Sequence, residues 1–211
     1  MKYSVIFFIG MLFLQSCEPP VDCTDPKCAN SPIEAKLKAN LSDTNSIFRV
    51  GDTLKMRLRV PDTLITNQST YYLESIRNTS IDLDYYRVDT IITQTNARII
   101  DDSFQIKKGK YAPQSTVVEF DYASKEIELH FLLNKKGKFY VQIGEQSRRM
   151  ECTLKNGNKL LVMINVGFNV SDSHHSLFLS WISDTNYRTQ MRNHLSDLTT
   201  KGVGFYAFKV E

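Results

Sequence analysis

The sequence predicts a mainly β domain, an antiparallel β-sandwich with one short helix near its C-terminus. Apolar and polar residues alternate with a period of two through most of the chain, and helical spacing stands out in one late segment. Many short strands followed by one late helix are typical of a sandwich, of which the immunoglobulin-like arrangement is one form. A partly open β-barrel is the alternative, because alternating strands also build barrels.

The clearest strands are three segments in which every second residue is apolar. Residues 33–39, 54–60 and 127–133 alternate apolar side chains with mostly charged ones. Each is expected to turn one face to the core and the other to water. Weaker candidates are 70–76, 81–92, 97–106, 116–122, 138–144, 148–155, 159–168, 177–182 and 203–210.

Two hairpins are predicted from the pairing of apolar residues across short loops. In the first, a three-residue loop with Gly137 in the left-handed region pairs Leu133 with Phe139. In the second, the loop 156–158 pairs Cys152 with Val162 and gives Asn158 a positive φ. The three-residue loop is preferred to a two-residue Asn-Gly turn because register follows the hydrophobic pattern when one face is buried.

The helix is predicted from apolar spacing after residue 184. Tyr187, Met191 and Leu195 recur every four residues, Asp184 precedes them as a capping residue, and Gly202 lies just beyond the last turn. A final strand follows to the C-terminus.

The N-terminus has the features of a signal peptide. Lys2 precedes an almost unbroken apolar run, 5–14, which is too short to span a bilayer. The following Leu-Gln-Ser-Cys, 14–17, resembles the lipobox of bacterial lipoproteins. That resemblance implies cleavage after residue 16 and acylation of Cys17 as the first mature residue. The alternative is an ordinary secretory signal that leaves Cys17 as a plain thiol.

Residues 17–32 are predicted to be a tether, and 33–211 a single β-rich domain. Four of the six prolines lie in the tether, and proline-rich linkers extend by about 3.1 Å per residue, or roughly 45 Å here. An oxidising envelope permits disulfides. Cys23 and Cys28 flank a turn-forming Asp-Pro pair and are the disulfide candidates, with Cys152 as a buried free thiol; a bridge from Cys152 to either one is the alternative.

Short segments outside the lipobox add to the resemblance. They are 50–54, 137–141 and 204–208. Together with the lipobox and tether, they make the chain resemble uncharacterised lipoproteins of Bacteroidetes-type bacteria. The resemblance implies lipid anchoring at the outer membrane, on its periplasmic face or at the cell surface, and a β-rich fold.

The same resemblance implies candidate O-glycosylation sites. Such bacteria modify Ser or Thr that follows Asp and precedes an aliphatic residue, Met or Thr. Thr53, Thr63 and Thr90 fit this pattern. Asp-Thr is also an ordinary turn and strand-entry pair, which is the competing interpretation.

Charge and motifs exclude several classes of function. Without Lys2 the chain has 25 basic and 23 acidic residues, a balance that argues against nucleic-acid binding. His174 and His175 beside Asp172 are interpreted as a solvated turn rather than a metal site. The carboxylates of Asp82, Asp84, Asp101 and Asp102 are likewise interpreted as solvated acids. No catalytic, cofactor or metal residue is therefore assigned.

Three adjacent aromatic pairs are the best candidates for ligand contact. Neighbours on a strand point to opposite faces, so one ring of each pair is expected to face outward; these are Tyr72, Tyr86 and Tyr140. Ordinary two-sided packing is the alternative. The basic stripe Lys55, Arg57 and Arg59 is expected to be a solvated face that discourages aggregation.

The function expected from these features is that of a lipid-anchored, non-enzymatic binding module for an envelope protein or a glycan. A structural subunit of a surface assembly is the alternative, and a glycan hydrolase ranks last.

Overall fold

The computed structural model describes residues 33–88, 104–111, 117–144, 148–171 and 173–211. Within these ranges the chain forms fourteen strands and two helices. The elements are β1 Glu34–Leu41, β2 Ile47–Phe48, β3 Thr53–Arg59, β4 Thr63–Ile65, β5 Thr70–Arg77, β6 Ser80–Val88, β7 Phe104–Lys108, β8 Lys110–Tyr111, β9 Val117–Glu119, β10 Glu126–Leu132, β11 Gly137–Ile143, β12 Arg148–Leu154, β13 Lys159–Phe168, α1 Ser173–Ser180, α2 Thr185–Lys201 and β14 Phe205–Val210.

The described strands form two sheets, which confirms the predicted sandwich; they close no barrel. Sheet A has the order β4-β5-β12-β13-β1-β3-β10-β7, and sheet B has the order β2-β14-β11-β6-β9-β8. The antiparallel pairing predicted for the sandwich holds for most neighbouring strands, with two exceptions. β1 pairs with β13 in parallel, and β2 pairs with β14 in parallel. Each sheet therefore contains both antiparallel pairs and one parallel pair. Each parallel pair joins two strands that are distant in sequence.

The core lies between the sheets and follows the period-two pattern. On β3 the alternate residues Leu54, Met56 and Leu58 are fully buried, while the charged residues between them are exposed. Aromatic rings fill the space between the two sheets: Tyr85 of sheet B lies 5.0 Å from Phe131 of sheet A, between ring centroids. Burial of these apolar side chains is the main favourable term in folding.

The first predicted hairpin is wrong. β10 belongs to sheet A and β11 to sheet B, so Leu133 does not pair with Phe139. Instead the N–H of Leu133 donates to the carbonyl of Asp52 over 3.0 Å, which keeps the chain beside β3 before it crosses to the other sheet. The alternation of apolar residues is the same for strands that pair and for strands that face each other across a core, so it did not separate the two arrangements.

The second predicted hairpin has the correct loop length, but its loop is one residue earlier. The loop is 155–157, Cys152 pairs with Leu160, and the N–H of Leu154 donates to the carbonyl of Asn158 over 2.8 Å. Gly157, at φ +85°, occupies the left-handed region, whereas Asn158 was predicted to do so. Both registers put the same side chains on the core face. Glycine decides between them because it adopts positive φ without a steric cost from Cβ.

A helical layer covers part of the outer face of sheet B, and only one of its two helices was predicted. α2 begins after Asp184, whose Oδ1 accepts a 2.6 Å hydrogen bond from the N–H of Tyr187, and ends at Gly202 with φ +70°. The predicted strand 177–182 is wrong, since most of this segment is α1. Trp181, which lies within that predicted strand, follows α1 and is half-buried.

Three short strands were missed, because two or three residues cannot display alternation. They are β2, β4 and β8. The predicted strands 81–92 and 97–106 lie partly outside the described residues. Within the part of the chain that the structure describes, neither helix has the length and apolarity needed to cross a bilayer.

Candidate functional site

The outer face of sheet B brings two of the predicted aromatic residues together. β11 lies between β14 and β6, and its register places Tyr140 opposite Tyr86 and Gln142 opposite Asp84. The four side chains share one face because residues two apart on a strand point the same way. We call Asp84, Tyr86 and Tyr140 the tyrosine–aspartate patch.

The patch combines aromatic surface with a polar anchor. The ring centroids of Tyr86 and Tyr140 are 5.1 Å apart at an interplanar angle of 44°. The hydroxyl of Tyr86 donates to Oδ1 of Asp84 over 3.2 Å. One carboxylate is thus held beside two aromatic rings.

The helical layer forms one wall of the patch. The Tyr140 ring stacks on Phe205 at 5.4 Å and meets the edge of Phe178 of α1 at 5.3 Å. Tyr187 of α2 packs against the apolar cluster that contains Phe178 and Phe205. Tyr140 is therefore fixed in place and partly covered, while Tyr86, farther from the helices, presents more of its ring.

Burial sets the protonation states at the patch. Burial raises the pKa of the Asp84 carboxyl, and the hydrogen bond from Tyr86 only partly opposes this shift. Burial, together with the nearby Asp84 charge, raises the pKa of the Tyr86 hydroxyl; burial also raises the pKa of Tyr140. Both phenols are therefore neutral near pH 7 and can donate hydrogen bonds.

Asp84→Asn is expected to raise the melting temperature near pH 7, by a few degrees at most because a half-buried carboxyl keeps part of its solvation. Since folding raises the pKa of Asp84, its ionised form opposes folding, and this penalty disappears as the pH falls through the raised pKa and below the ordinary value of 3.8. Thermal melts between pH 3 and pH 7 should show the two proteins converging at low pH. A variant that is less stable at pH 7 would contradict this prediction.

The third predicted aromatic residue lies elsewhere. Tyr72 is on β5 of sheet A, 60% exposed, and is paired with Thr63 of β4 at the edge of that sheet. Ile65, on the same short edge strand, is 73% exposed. The structure therefore confirms that Tyr72 faces outward but does not bring it to the tyrosine–aspartate patch.

Two of the three candidate O-glycosylation residues lie on described strands. Thr63 is exposed on β4, and Thr53 is half-buried at the start of β3. Cys17, Cys23, Cys28 and Thr90 lie outside the described residues. Cys152 is buried as predicted, and burial raises the pKa of its thiol to about 12, so it is a poor nucleophile.

The interpretation of His174 as a residue of a solvated turn is wrong. His174 lies in α1, 3% exposed, and its Nδ1 lies 2.7 Å from the carbonyl oxygen of Ala207. His175 lies with its ring against Phe205 at 5.5 Å. Asp172, Asp101 and Asp102 lie outside the described residues. Among the described side chains, no three His, Cys, Asp or Glu residues lie close enough to hold a metal ion.

A buried carboxylate on sheet A was not recognised from the sequence. The side chain of Glu126 is 3% exposed. It accepts a 2.6 Å hydrogen bond from Arg57, forms an ion pair with Lys108, and its Oε1 lies 3.7 Å from Nε of Arg59. The hydrogen bonds from Lys108 and Arg57 lower the pKa of Glu126, although its burial acts in the opposite direction. Its place in the alternating pattern of β10 predicted an outward, solvated acid, and the ion-pair partners come from two other strands.

A scan against models of protein families found no match, and no curated protein matches the chain. Among solved structures, the chain is similar to the first immunoglobulin domain of the mouse polymeric immunoglobulin receptor. The two are 12% identical, the alignment covers 65% of this chain and 96% of that domain, and the TM-score is 0.20. A likeness at this level assigns neither a family nor an activity to the chain.

Proposed function

We propose that the protein is a lipid-anchored, non-enzymatic binding module of the outer membrane that binds a glycan at the tyrosine–aspartate patch. The observation that supports this most is the half-buried carboxylate of Asp84 beside the Tyr86 and Tyr140 rings. The raised pKa of Asp84 means that its charge is kept at a cost to stability. Residues kept at such a cost are more often found at functional sites.

The chemistry of the patch matches that of a sugar. A pyranose ring has an apolar face of C–H groups that packs on an aromatic ring, and hydroxyls that donate to a carboxylate. The Asp84 carboxylate accepts such hydrogen bonds, and the neutral phenol of Tyr86 both donates and accepts. The patch is rigid because β6 and β11 hold it in register and the helical layer supports Tyr140, so little conformational entropy is lost on binding.

The second candidate function, assembly by strand addition, has its own supporting observation. β4 is a three-residue edge strand of sheet A; Ile65 is exposed on β4, and Tyr72 is exposed on the neighbouring β5. An exposed sheet edge can pair with a strand of another protein.

Location at the membrane depends on Cys17. Cys17→Ala is expected to release the protein from membranes or to leave it unprocessed, because the variant lacks the thiol that would be acylated. Stable anchoring requires at least two acyl chains. Metabolic labelling with a fatty acid measures this directly. Label that persists in the alanine variant would show that the chain is not anchored at Cys17.

Tyr86→Ala is expected to weaken glycan binding by about tenfold or more, equivalent to roughly 1.4 kcal/mol, through loss of the stacking surface. The measurement is a titration against the glycans that the unchanged protein selects from an array. Tyr72→Ala is the matched control, since it removes an exposed tyrosine from the other sheet, and its affinity should be unchanged.

Three outcomes would count against the proposal. Loss of glycan binding in the Tyr72 variant alone would place the glycan site at the edge of sheet A and not at the tyrosine–aspartate patch. A protein that selects no glycan from the array would remove the assignment altogether. Cleavage of a bound glycan would show an enzyme, for which Asp82 and Asp84, outward on the same strand, would be the first residues to test.

A further inference from the structure

Five cations occupy the outer face of two neighbouring strands in the middle of sheet A. They are Lys36 and Lys38 on β1, and Lys55, Arg57 and Arg59 on β3, and all five are exposed. We call them the basic face. Asn40 of β1 lies opposite Arg57 in the register, so the cations are on adjacent strands on one side of the sheet. Like charges this close repel one another, which costs stability.

The neighbouring groups neutralise only part of this charge: Arg57 and Arg59 lie within ion-pair distance of Glu126, and Glu34 is exposed on the same face of β1. On one side, β10 supplies Glu126 and Glu128, but Glu126 also pairs with Lys108, and Glu128 lies 2.9 Å from His130. Within the described ranges, no ion pair is formed by Lys36, Lys38 or Lys55. These three ammonium groups are available to an external anion.

On the other side, β13 adds apolar surface next to β1, with which it pairs directly. Its outward residues Leu161 and Met163 are half-buried, and Lys159 is exposed at the start of the same strand. Lysines beside partly exposed Leu and Met are the combination found on surfaces that lie on lipid headgroups, where flexible cations meet phosphates and apolar side chains reach the acyl boundary.

The basic face is also close in sequence to the predicted tether. β1, which carries Lys36 and Lys38, begins at Glu34, two residues after the predicted tether. We propose that the basic face binds the anionic phosphate headgroups of the bilayer and so orients the domain on its anchor. This inference goes beyond the proposed glycan site, which is on sheet B, and it uses the anchor only as the reason why a bilayer is near.

The test uses the full chain carrying Cys17→Ala, so that no acyl group contributes. Vesicles of phosphatidylcholine with phosphatidylglycerol, and of phosphatidylcholine alone, are the probes in a co-sedimentation titration. We expect preferential binding to the anionic vesicles that weakens as the salt concentration rises. Replacing Lys36, Lys38 and Lys55 by Gln should reduce binding on the order of 100-fold, at about one factor of five per lysine.

The control variant replaces Lys135, Lys136 and Arg192 by Gln, which removes the same charge from exposed positions between β10 and β11 and on α2. It should bind the anionic vesicles nearly as well as the parent. Equal losses in both variants, or equal binding to both kinds of vesicle, would overturn the proposal. Binding to a soluble anionic glycan but not to anionic vesicles would also overturn it. Melting curves confirm that each variant is folded, and unchanged glycan binding separates this test from that of the tyrosine–aspartate patch.

Discussion

Phe131→Ala is expected to lower the free energy of unfolding by about 3–5 kcal/mol, the usual cost of removing a large aromatic ring from a core. Phe131 is fully buried on β10, where its ring points from sheet A towards sheet B and contacts Tyr85 with 5.0 Å between centroids. Tyr85 in turn stacks on Phe139 at 5.9 Å. Loss of the Phe131 ring leaves a cavity at the point where the two sheets meet.

Chemical denaturation of the purified protein measures this change. Tyr72→Ala is a suitable control because it also removes one aromatic ring but at a 60% exposed position, where the expected loss is below about 1 kcal/mol. Similar losses in the two variants would show that Phe131 is not at a close-packed contact between the sheets.

The strands could be predicted because a half-buried strand requires an apolar side chain at every second position. On β3 each buried Leu or Met alternates with a charged residue, and nothing but a half-buried strand explains that order. The same logic failed for Leu177 and Leu179. Their alternation also fits α1, a two-turn helix in which His174 and Phe178 are buried, and a segment this short does not separate a period of 2 from one of 3.6.

The candidate site was only partly predictable. The outward directions of Tyr86 and Tyr140 follow from neighbouring positions on a strand, so each could be assigned to a face separately. Their contact depends on β6 lying beside β11, two strands separated by about fifty residues of chain. The covering of Tyr140 by α1 depends on a helix that the sequence pattern did not reveal. Pairing between distant strands is set by the whole core, and no local spacing in the sequence records it.

His174 gives a second large expected effect. β14 has β2 as its neighbour only at Lys209 and Val210, so on that side the carbonyl of Ala207 has no strand partner. Nδ1 of His174 donates to this oxygen over 2.7 Å, and its ring lies 4.4 Å from that of Tyr206. A carbonyl only accepts, so the hydrogen must be on Nδ1. The histidine therefore completes the edge of sheet B just before the start of β2.

His174→Ala is expected to cost about 2–4 kcal/mol in the free energy of unfolding, because it removes a buried ring and leaves a buried carbonyl unsatisfied. His174→Asn is the informative companion, since the asparagine amide can place a donor near the position of Nδ1 and should recover part of the loss. Denaturation in the presence of zinc or of a chelator adds a second readout, and neither should change the stability of the unchanged protein. If the asparagine variant is no better than alanine and zinc stabilises the unchanged protein alone, His174 acts as a metal ligand and not as the partner of Ala207.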